Sequence, residues 1–317
     1  MTISGFTFVR NATTLYYPIK GSIESILPIC DEFVVALGKG VADDKTEEEI
    51  RSIKSDKIRI IHTEWDLETY QNGTVYAQQT DLAKSHCSGD WLFYIQSDEA
   101  VHEKYLPEIK RKCASLLDNR QVDGLLFGYK HFWGDFNHYI ISHAWYPEEI
   151  RVIRNLPEIH SWRDAQSFRR IPDFDGVSYA KKKGTYKLRV VRADAFVFHY
   201  GWVRPPQLMQ MKRHTFSTVY RGIFSAEKEF SEEEELFDYG DLSKLVEFKG
   251  SHPAVMESWI ARFDWQDQLF PRRPALRKHK HDKLKYRFLT FLERTLFNGK
   301  RIGGFKNYRI AKDPSIG

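Results

Sequence analysis

Trp91-Leu92-Phe93-Tyr94-Ile95-Gln96-Ser97-Asp98-Glu99 opens on five apolar residues and closes on an acidic pair. Gly89-Asp90 breaks the chain just before it. An apolar run this short, bounded by a turn, reads as a strand buried on both faces. Working backward, Gly73 to His86 predicts a helix and Lys57 to Ile61 a strand. Thr46 to Ile53 predicts a helix whose acidic first turn suits its dipole. Glu32 to Leu37 predicts a strand that runs into the turn Gly38-Lys39-Gly40. A helical stretch over about 17–29 ends at Cys30, and Ile3 to Arg10 reads as the first strand. Four strands alternating with three helices is the pattern of a parallel α/β sheet. Ligands of open α/β sheets collect at the carboxyl ends of the strands. That rule brings Arg10-Asn11, Leu37-Gly38 and Gln96-Ser97-Asp98-Glu99 to one edge.

Working forward, a helix near 104–117 and a strand at Gly124–Tyr129 continue the sheet. Residues 130–175 carry Trp133, Trp145, Trp162, His131, His138, His143 and His160 with little periodicity. They read as a functional insert, because long ordered loops are usually functional. Lys187 to Tyr200 alternates like a strand, and Pro205-Pro206 opens a long helix to about Tyr220. Glu232–Glu235 reads as a solvated helix start.

With 317 residues, 42% hydrophobic and 29% charged, the chain has the make-up of a soluble globular protein. The net charge of +5 is mild and lies mostly after residue 271, so a nucleic-acid footprint spread along the chain is not expected. Cys30, Cys87 and Cys113 have no metal-ligand spacing and read as reduced, buried thiols. No basic segment followed by an apolar run opens the chain, and no window approaches ~18 uninterrupted apolar residues. A cytoplasmic protein is expected, at most peripheral on the inner face of a membrane.

Three constellations carry chemistry. Carboxylates just past the end of a buried strand, as at Asp98-Glu99, suit a hard divalent cation that in turn binds a diphosphate. The same pair would serve equally to cap a helix from Val101 onward. His199 ends the β-rich run Ala195–Phe198, and its imidazole could complete a manganese-type site begun at Asp98. Asp164, in Trp162-Arg163-Asp164-Ala165-Gln166, could act as a general base toward a sugar hydroxyl, or could simply pair with Arg163.

The order of these pieces resembles family-2-like inverting glycosyltransferases with a GT-A fold over the first ~200 residues. Phe8-Val9-Arg10-Asn11 is similar to the end of that family's first strand. Phe33 to Gly38 with Ala42-Asp43-Asp44-Lys45-Thr46 is similar to its second strand and following turn. Ala83 through Glu99 is similar to the approach to its DxD motif, with Gln96 where the first Asp is usual. The resemblance implies a metal (Mn or Mg) on Asp98 and His199, with Asp164 as base; Asp135, Glu148 and Glu149 compete for that role. It implies donor contacts from Thr7, Arg10, Asn11, Gly38, Gln96 and Ser97, and an acceptor pocket shaped by His131, Trp133, His143 and Trp145. The implied reaction moves a sugar from a nucleotide-sugar donor to a carbohydrate or lipid-linked acceptor, in cell-envelope polysaccharide or glycoconjugate synthesis.

The expected organisation is a GT-A domain over 1–225, with 130–175 as acceptor-side insert, and a mainly helical, basic extension over 226–317. In that extension Tyr286, Leu289, Leu292, Leu296 and Phe297 approximate one helical face, which with its basic neighbours suits an anionic membrane surface. The competing reading is a non-catalytic protein, either a degenerate binder of nucleotide sugars or a nucleic-acid binder acting through its basic tail.

Overall fold

The computed structural model describes residues 1–221, 236–269, 279–303 and 306–312. The acidic run Glu232–Glu235 and residues 270–278 of the basic segment lie outside them.

The first half follows the expected alternation. In chain order it runs β1 (Ile3–Val9), α1 (Ile19–Ile26), β2 (Glu32–Gly38), α2 (Thr46–Arg51), β3 (Ile58–Thr63), α3 (Thr74–Ser85) and β4 (Trp91–Tyr94). A three-residue strand β5 (Glu99–Val101), helix α4 (Leu106–Ser115) and strand β6 (Gly124–Trp133) follow. Strands β1 to β4 pair in parallel in the order β3-β2-β1-β4. Period-two alternation divides their side chains between two cores. Phe33, Val35, Trp91 and Phe93 pack on one face of the sheet, and Phe6, Val34, Ala36, Leu92 and Tyr94 on the other. Because both faces are covered, β4 has no solvent-facing position, and this is why its sequence is continuously apolar.

Residues 130–175, expected to be irregular, contribute to the sheet itself. The chain returns from β6 through β7 (His138–Ile140) into β8 (Glu148–Arg154), which inserts antiparallel between β4 and β6. β9 (Ile159–Trp162) and β10 (Ser167–Arg170) form a hairpin at the far end of the sheet. The alternation of β8 was hidden because Glu149, Arg151 and Arg154 are buried charges that break the apolar pattern. Arg154 donates to the carbonyls of Leu116, Leu117, Asn119 and Val122, closing the C-terminal end of α4.

The long strand β11 (Tyr186–Trp202) pairs in parallel with β6 and antiparallel with β5. Helix α5 (Pro206–Arg221) follows. The C-terminal part is less separate than expected and contributes two strands to the sheet. β12 (Val246–Glu247) pairs with β7, and β13 (Tyr308–Ile310) pairs in parallel with β11. Between them lies helix α6 (Leu284–Thr295). Of its expected outward face, Tyr286, Leu289 and Leu292 are half-buried, Leu296 and Phe297 just past the helix are exposed, and the outward row of the helix itself is Leu284, Phe288 and Phe291. Among the described residues no helix is long and apolar enough to cross a membrane.

Candidate functional site

Of the three segments predicted to share an edge, Arg10-Asn11 and Gln96-Ser97-Asp98 meet there, and Leu37-Gly38 does not. Past the carboxyl ends of β1 and β4 lies a cleft of 860 Å³ whose lining includes Arg10, Asn11, Gln96, Ser97, Asp98, Trp145, Asp164 and His199. Helix α5 closes one side with Lys212, Phe216 and Tyr220.

Asp98 and His199 are 101 residues apart in sequence and meet through sheet register. After β4 the chain does not enter a helix at Val101. It makes the short strand β5, whose Glu99 sits opposite His199 on β11, while His131 of β6 flanks His199 on the other side. A register shift between His199 and Trp202 re-aims this end of β11, as bulges beside ligand sites do. The Tyr200 amide donates to the Asp98 carbonyl at 2.7 Å. As a result Asp98 Oδ2 faces His199 Nε2 at 3.8 Å.

The protonation of this pair follows from its partners. His131 Nε2 lies 2.8 Å from the Tyr146 carbonyl, which can only accept, so Nε2 carries the proton. His131 Nδ1 is then a lone pair, and it lies 3.0 Å from His199 Nδ1, which must donate. That leaves a lone pair on His199 Nε2, aimed at a carboxylate. Burial and the neighbouring His199 push His131 down to about 3, and burial, only partly offset by Asp98, takes His199 to about 4. Both rings are neutral at pH 7. Burial opposes ionisation of Asp98, but Lys212, His199 and Arg204 outweigh it and hold the carboxyl below its ordinary range. A lone pair and an anion that face each other in a buried space are both suited to hold a cation placed between them.

The space between them is kept open by Gly201. A Cβ there would come within 2.5 Å of Asp98 Oδ2 and 2.6 Å of His199 Nε2. Two ligand bonds of about 2.1 Å each bracket a separation of roughly 3–4 Å, so the pair fits one divalent cation. Among the described residues no group of three or more His, Cys, Asp or Glu could hold a metal. A cation here would therefore draw its remaining ligands from water or from a bound oxyanion.

Lys212 is the charge that sequence reasoning missed. It sits on the buried side of α5 with Met209 and Val219. Its Nζ donates to the Gly201 carbonyl at 2.7 Å and lies 3.3 Å from Asp98 Oδ2. Burial and Arg204 bring it down to about 7 despite the attraction of Asp98. A lysine in the apolar register of a helix was the available signal. Glu99, by contrast, does not face the cleft. It is fully buried and held by both arms of Arg151 at 2.7 and 2.8 Å, with the Tyr129 hydroxyl donating at 2.7 Å. Its second oxygen accepts from the Gln96 amide N–H at 3.1 Å, so this buried pair fixes the loop that carries Asp98.

Asp164 faces the same cleft from a strained turn. Arg163 and Ala165 have φ of 58° and 60°, a region sparsely used by residues with a side chain. The Tyr220 hydroxyl donates to Asp164 Oδ2 at 2.7 Å. Gln96 donates its amide to the Ala165 carbonyl at 3.2 Å and so braces that turn. Of the competing acids, Asp135 is occupied by His138 at 2.8 Å and Glu148 by Arg192 at 2.9 Å. Glu149 is buried behind Gln166, which donates to it at 3.1 Å, and burial raises it to about 7.

Five expected contacts do not line the cleft: His131 is buried behind His199 and the Tyr146 carbonyl, and four others lie elsewhere. Thr7 is fully buried within β1. Gly38 lies behind Trp65, whose indole occupies the space a Cβ would need; Trp65 itself lines the cleft beneath the Arg10 guanidinium, 5.2 Å from the ring centroid. Trp133 is buried and stacks at 4.8 Å on Trp202, the ring that does line the cleft. His143 turns away to Glu293 of α6, 2.7 Å from its carboxylate.

Neither a protein-family model nor a curated protein matches the sequence. Among solved structures, it is similar to glucosyl-3-phosphoglycerate synthase from Mycobacterium tuberculosis in complex with Mn2+, UDP and phosphoglyceric acid. The identity is 21% over 42% of this chain and 43% of that one, with a TM-score of 0.28. It is also similar to S. aureus TarS, at 10% identity over 74% of this chain and 41% of that one, with a TM-score of 0.37. The chain thus spans less than half the length of either solved chain. The fold is GT-A-like. That statement rests on the strand order, with its parallel β3-β2-β1-β4 half and the antiparallel β8 set between β4 and β6.

Proposed function

We propose that this protein is a divalent-metal-dependent glycosyltransferase that moves a sugar from a nucleoside-diphosphate sugar to an acceptor hydroxyl, with inversion. The observation that carries the reading is the facing pair Asp98 and His199, ionised and neutral respectively, across the opening left by Gly201. These two residues would hold the metal, and a bound divalent cation supplies charge neutralisation to a departing diphosphate.

The other residues of the cleft divide the remaining work. Phe8, Trp65 and Tyr76 form an aromatic wall suited to a nucleoside base, with ring centroids 5.4–6.0 Å apart. Arg10, Asn11 and Ser97 lie beside that wall, within reach of the ribose and phosphates. The Lys212 ammonium, itself buried, stabilises negative charge on the leaving diphosphate. Asp164 accepts the proton of the acceptor hydroxyl while that oxygen attacks the anomeric carbon. The bond from that carbon to the diphosphate breaks, and its electron pair leaves on the phosphate oxygen. Attack on the face opposite the leaving group inverts the centre. The Tyr220 hydroxyl orients Asp164 for this step. Trp145 and Trp202 offer stacking surfaces to a carbohydrate acceptor, including a lipid-linked one used in cell-envelope synthesis.

Calorimetric titration of UDP and the other nucleoside diphosphates, with and without Mn2+, tests the donor site. Tight binding of one nucleotide only with metal is expected, with loss on Asp98→Ala and on His199→Ala. Binding unaffected by both substitutions would refute the placement of the metal.

A further inference from the structure

Helix α6 presents an unusual outer face. Leu284, Phe288 and Phe291, spaced i, i+4, i+7, are 80%, 61% and 60% exposed, and Leu296 just beyond the helix is 70% exposed. An amphipathic helix of a globular protein normally turns such a row inward. Here the inward side is already occupied by Tyr286, Leu289 and Leu292. The outer row is bordered by the exposed cations Lys283, Lys285, Arg287, Arg294 and Lys300. Of the acids on this stretch, Glu293 is buried against His143 and Asp282 is half-buried. The outer surface is therefore apolar and positive at once.

Beside it runs a groove of 480 Å³ between α6 and the β7–β12 pair, lined among others by Ser142, Lys244, Val246, Arg287, Phe291 and Arg294. Arg287 and Arg294 have no ion-pair partner among the described residues, and Lys244 meets only the exposed Asp241 at 3.1 Å. Two guanidiniums and Lys244 outweigh the one carboxylate of the lining, Asp282, and with the apolar Ile140, Leu245, Val246 and Phe291 beside them they suit a phosphate group that carries a hydrocarbon chain.

The helix is also tied to the cleft. Glu293 accepts from His143 at 2.7 Å and from the Ile302 amide at 2.9 Å, and Thr290 accepts from the His143 amide at 2.9 Å. Arg301 donates to the carbonyls of Ser142 and Trp145. Residues 142–146 are thus clamped to α6, and Trp145 and Tyr146 of that segment line the cleft.

We propose that α6 seats the protein on an anionic lipid surface, with Leu284, Phe288 and Phe291 entering the interface and the Arg287–Arg294 groove taking a phospholipid headgroup. Charge complementarity selects this occupant, since a second copy would bring the same cations face to face. The inference does not depend on the reaction proposed above.

Vesicle flotation of the full chain tests it, comparing phosphatidylcholine alone with phosphatidylcholine containing one third phosphatidylglycerol. Partition to the anionic vesicles only is expected, weakening with salt. Arg287→Glu with Arg294→Glu should lower partition by at least about tenfold, and Phe288→Ser with Phe291→Ser should do likewise. Both double variants alter exposed side chains, so unchanged melting temperature and unchanged nucleotide binding serve as folding controls. No partition to anionic vesicles, equal partition to both kinds, or full partition by both variants would overturn the proposal. So would a concentration-dependent dimer in sedimentation that Phe288→Ser with Phe291→Ser abolishes, since it would assign the face to a second copy.

Discussion

The segment before residue 100 and the segment after residue 130 are built on opposite rules. In the first, the buried strand residues are mostly apolar and the functional groups stand past strand ends, where Asp98 comes shortly after the apolar β4. In the second, charge and aromatic surface are buried together. Arg151 reaches across at zero exposure to Glu99 at the end of the first segment, His131 lies against His199, and Trp133 stacks under Trp202. Regular packing in the first segment brings the ligands to strand ends. Networks in the second segment orient them.

That contrast can be broken most forcefully at the cleft. Asp164→Asn leaves the carboxamide in place of the proton acceptor, so glycosyl transfer should fall by roughly 10²–10⁴-fold while nucleotide affinity stays the same. Steady-state kinetics beside calorimetry separates the two, and normal turnover would remove Asp164 from the mechanism. Next in size is Arg151→Met, which strands the Glu99 carboxylate in a dry interior and should cost ~3–5 kcal/mol in denaturant unfolding. A loss below 1 kcal/mol would mean that the network does not anchor the Asp98 loop.

Glu149 sharpens the comparison through pH. Burial raises its pKa from 4.5 to about 7, so the folded state holds the proton more tightly than the unfolded chain. Its contribution to stability is complete below pH 4.5 and is lost as pH rises to about 7, on the order of 3 kcal/mol. Melting curves of Glu149→Gln between those limits should lose that slope, and a slope equal to the native protein's would show that another group is responsible. The smallest effect is expected at His131. His131→Phe removes the acceptor that fixes the His199 tautomer, and metal affinity should drop by about 10–100-fold with both ligands intact. Titration of Mn2+ in the presence of nucleotide reads it directly.

Legibility in the sequence tracked the same divide. The alternation from Ile3 to Ile95 specified β1 to β4 and the edge where Arg10, Asn11, Gln96 and Asp98 gather. Asp98 and His199 were identifiable because each terminates an apolar run. β8 was missed, because Glu149, Arg151 and Arg154 erase the apolar pattern of a strand that lies in mid-sheet. Trp133 and His143 looked like surface recognition groups because aromatic and imidazole side chains are chemically at home in either setting. Only pairing partners distant in sequence, Trp202 and Glu293, decide between them. Lys212 shows the same difficulty in a helix, where a cation in an apolar register is visible but its partners Asp98 and Gly201 are 114 and 11 residues away.

The central claim is that Asp98 and His199 share one cation in the opening that Gly201 leaves, and Gly201→Ala addresses that opening while keeping both ligands. Thermal unfolding with UDP, with and without Mn2+, is the direct measurement. The account predicts that the native protein gains melting temperature only when both are present, and that Gly201→Ala loses this gain while unfolding cooperatively at a similar temperature without ligands. A Gly201→Ala protein that retained the full Mn2+-dependent gain would contradict the shared site.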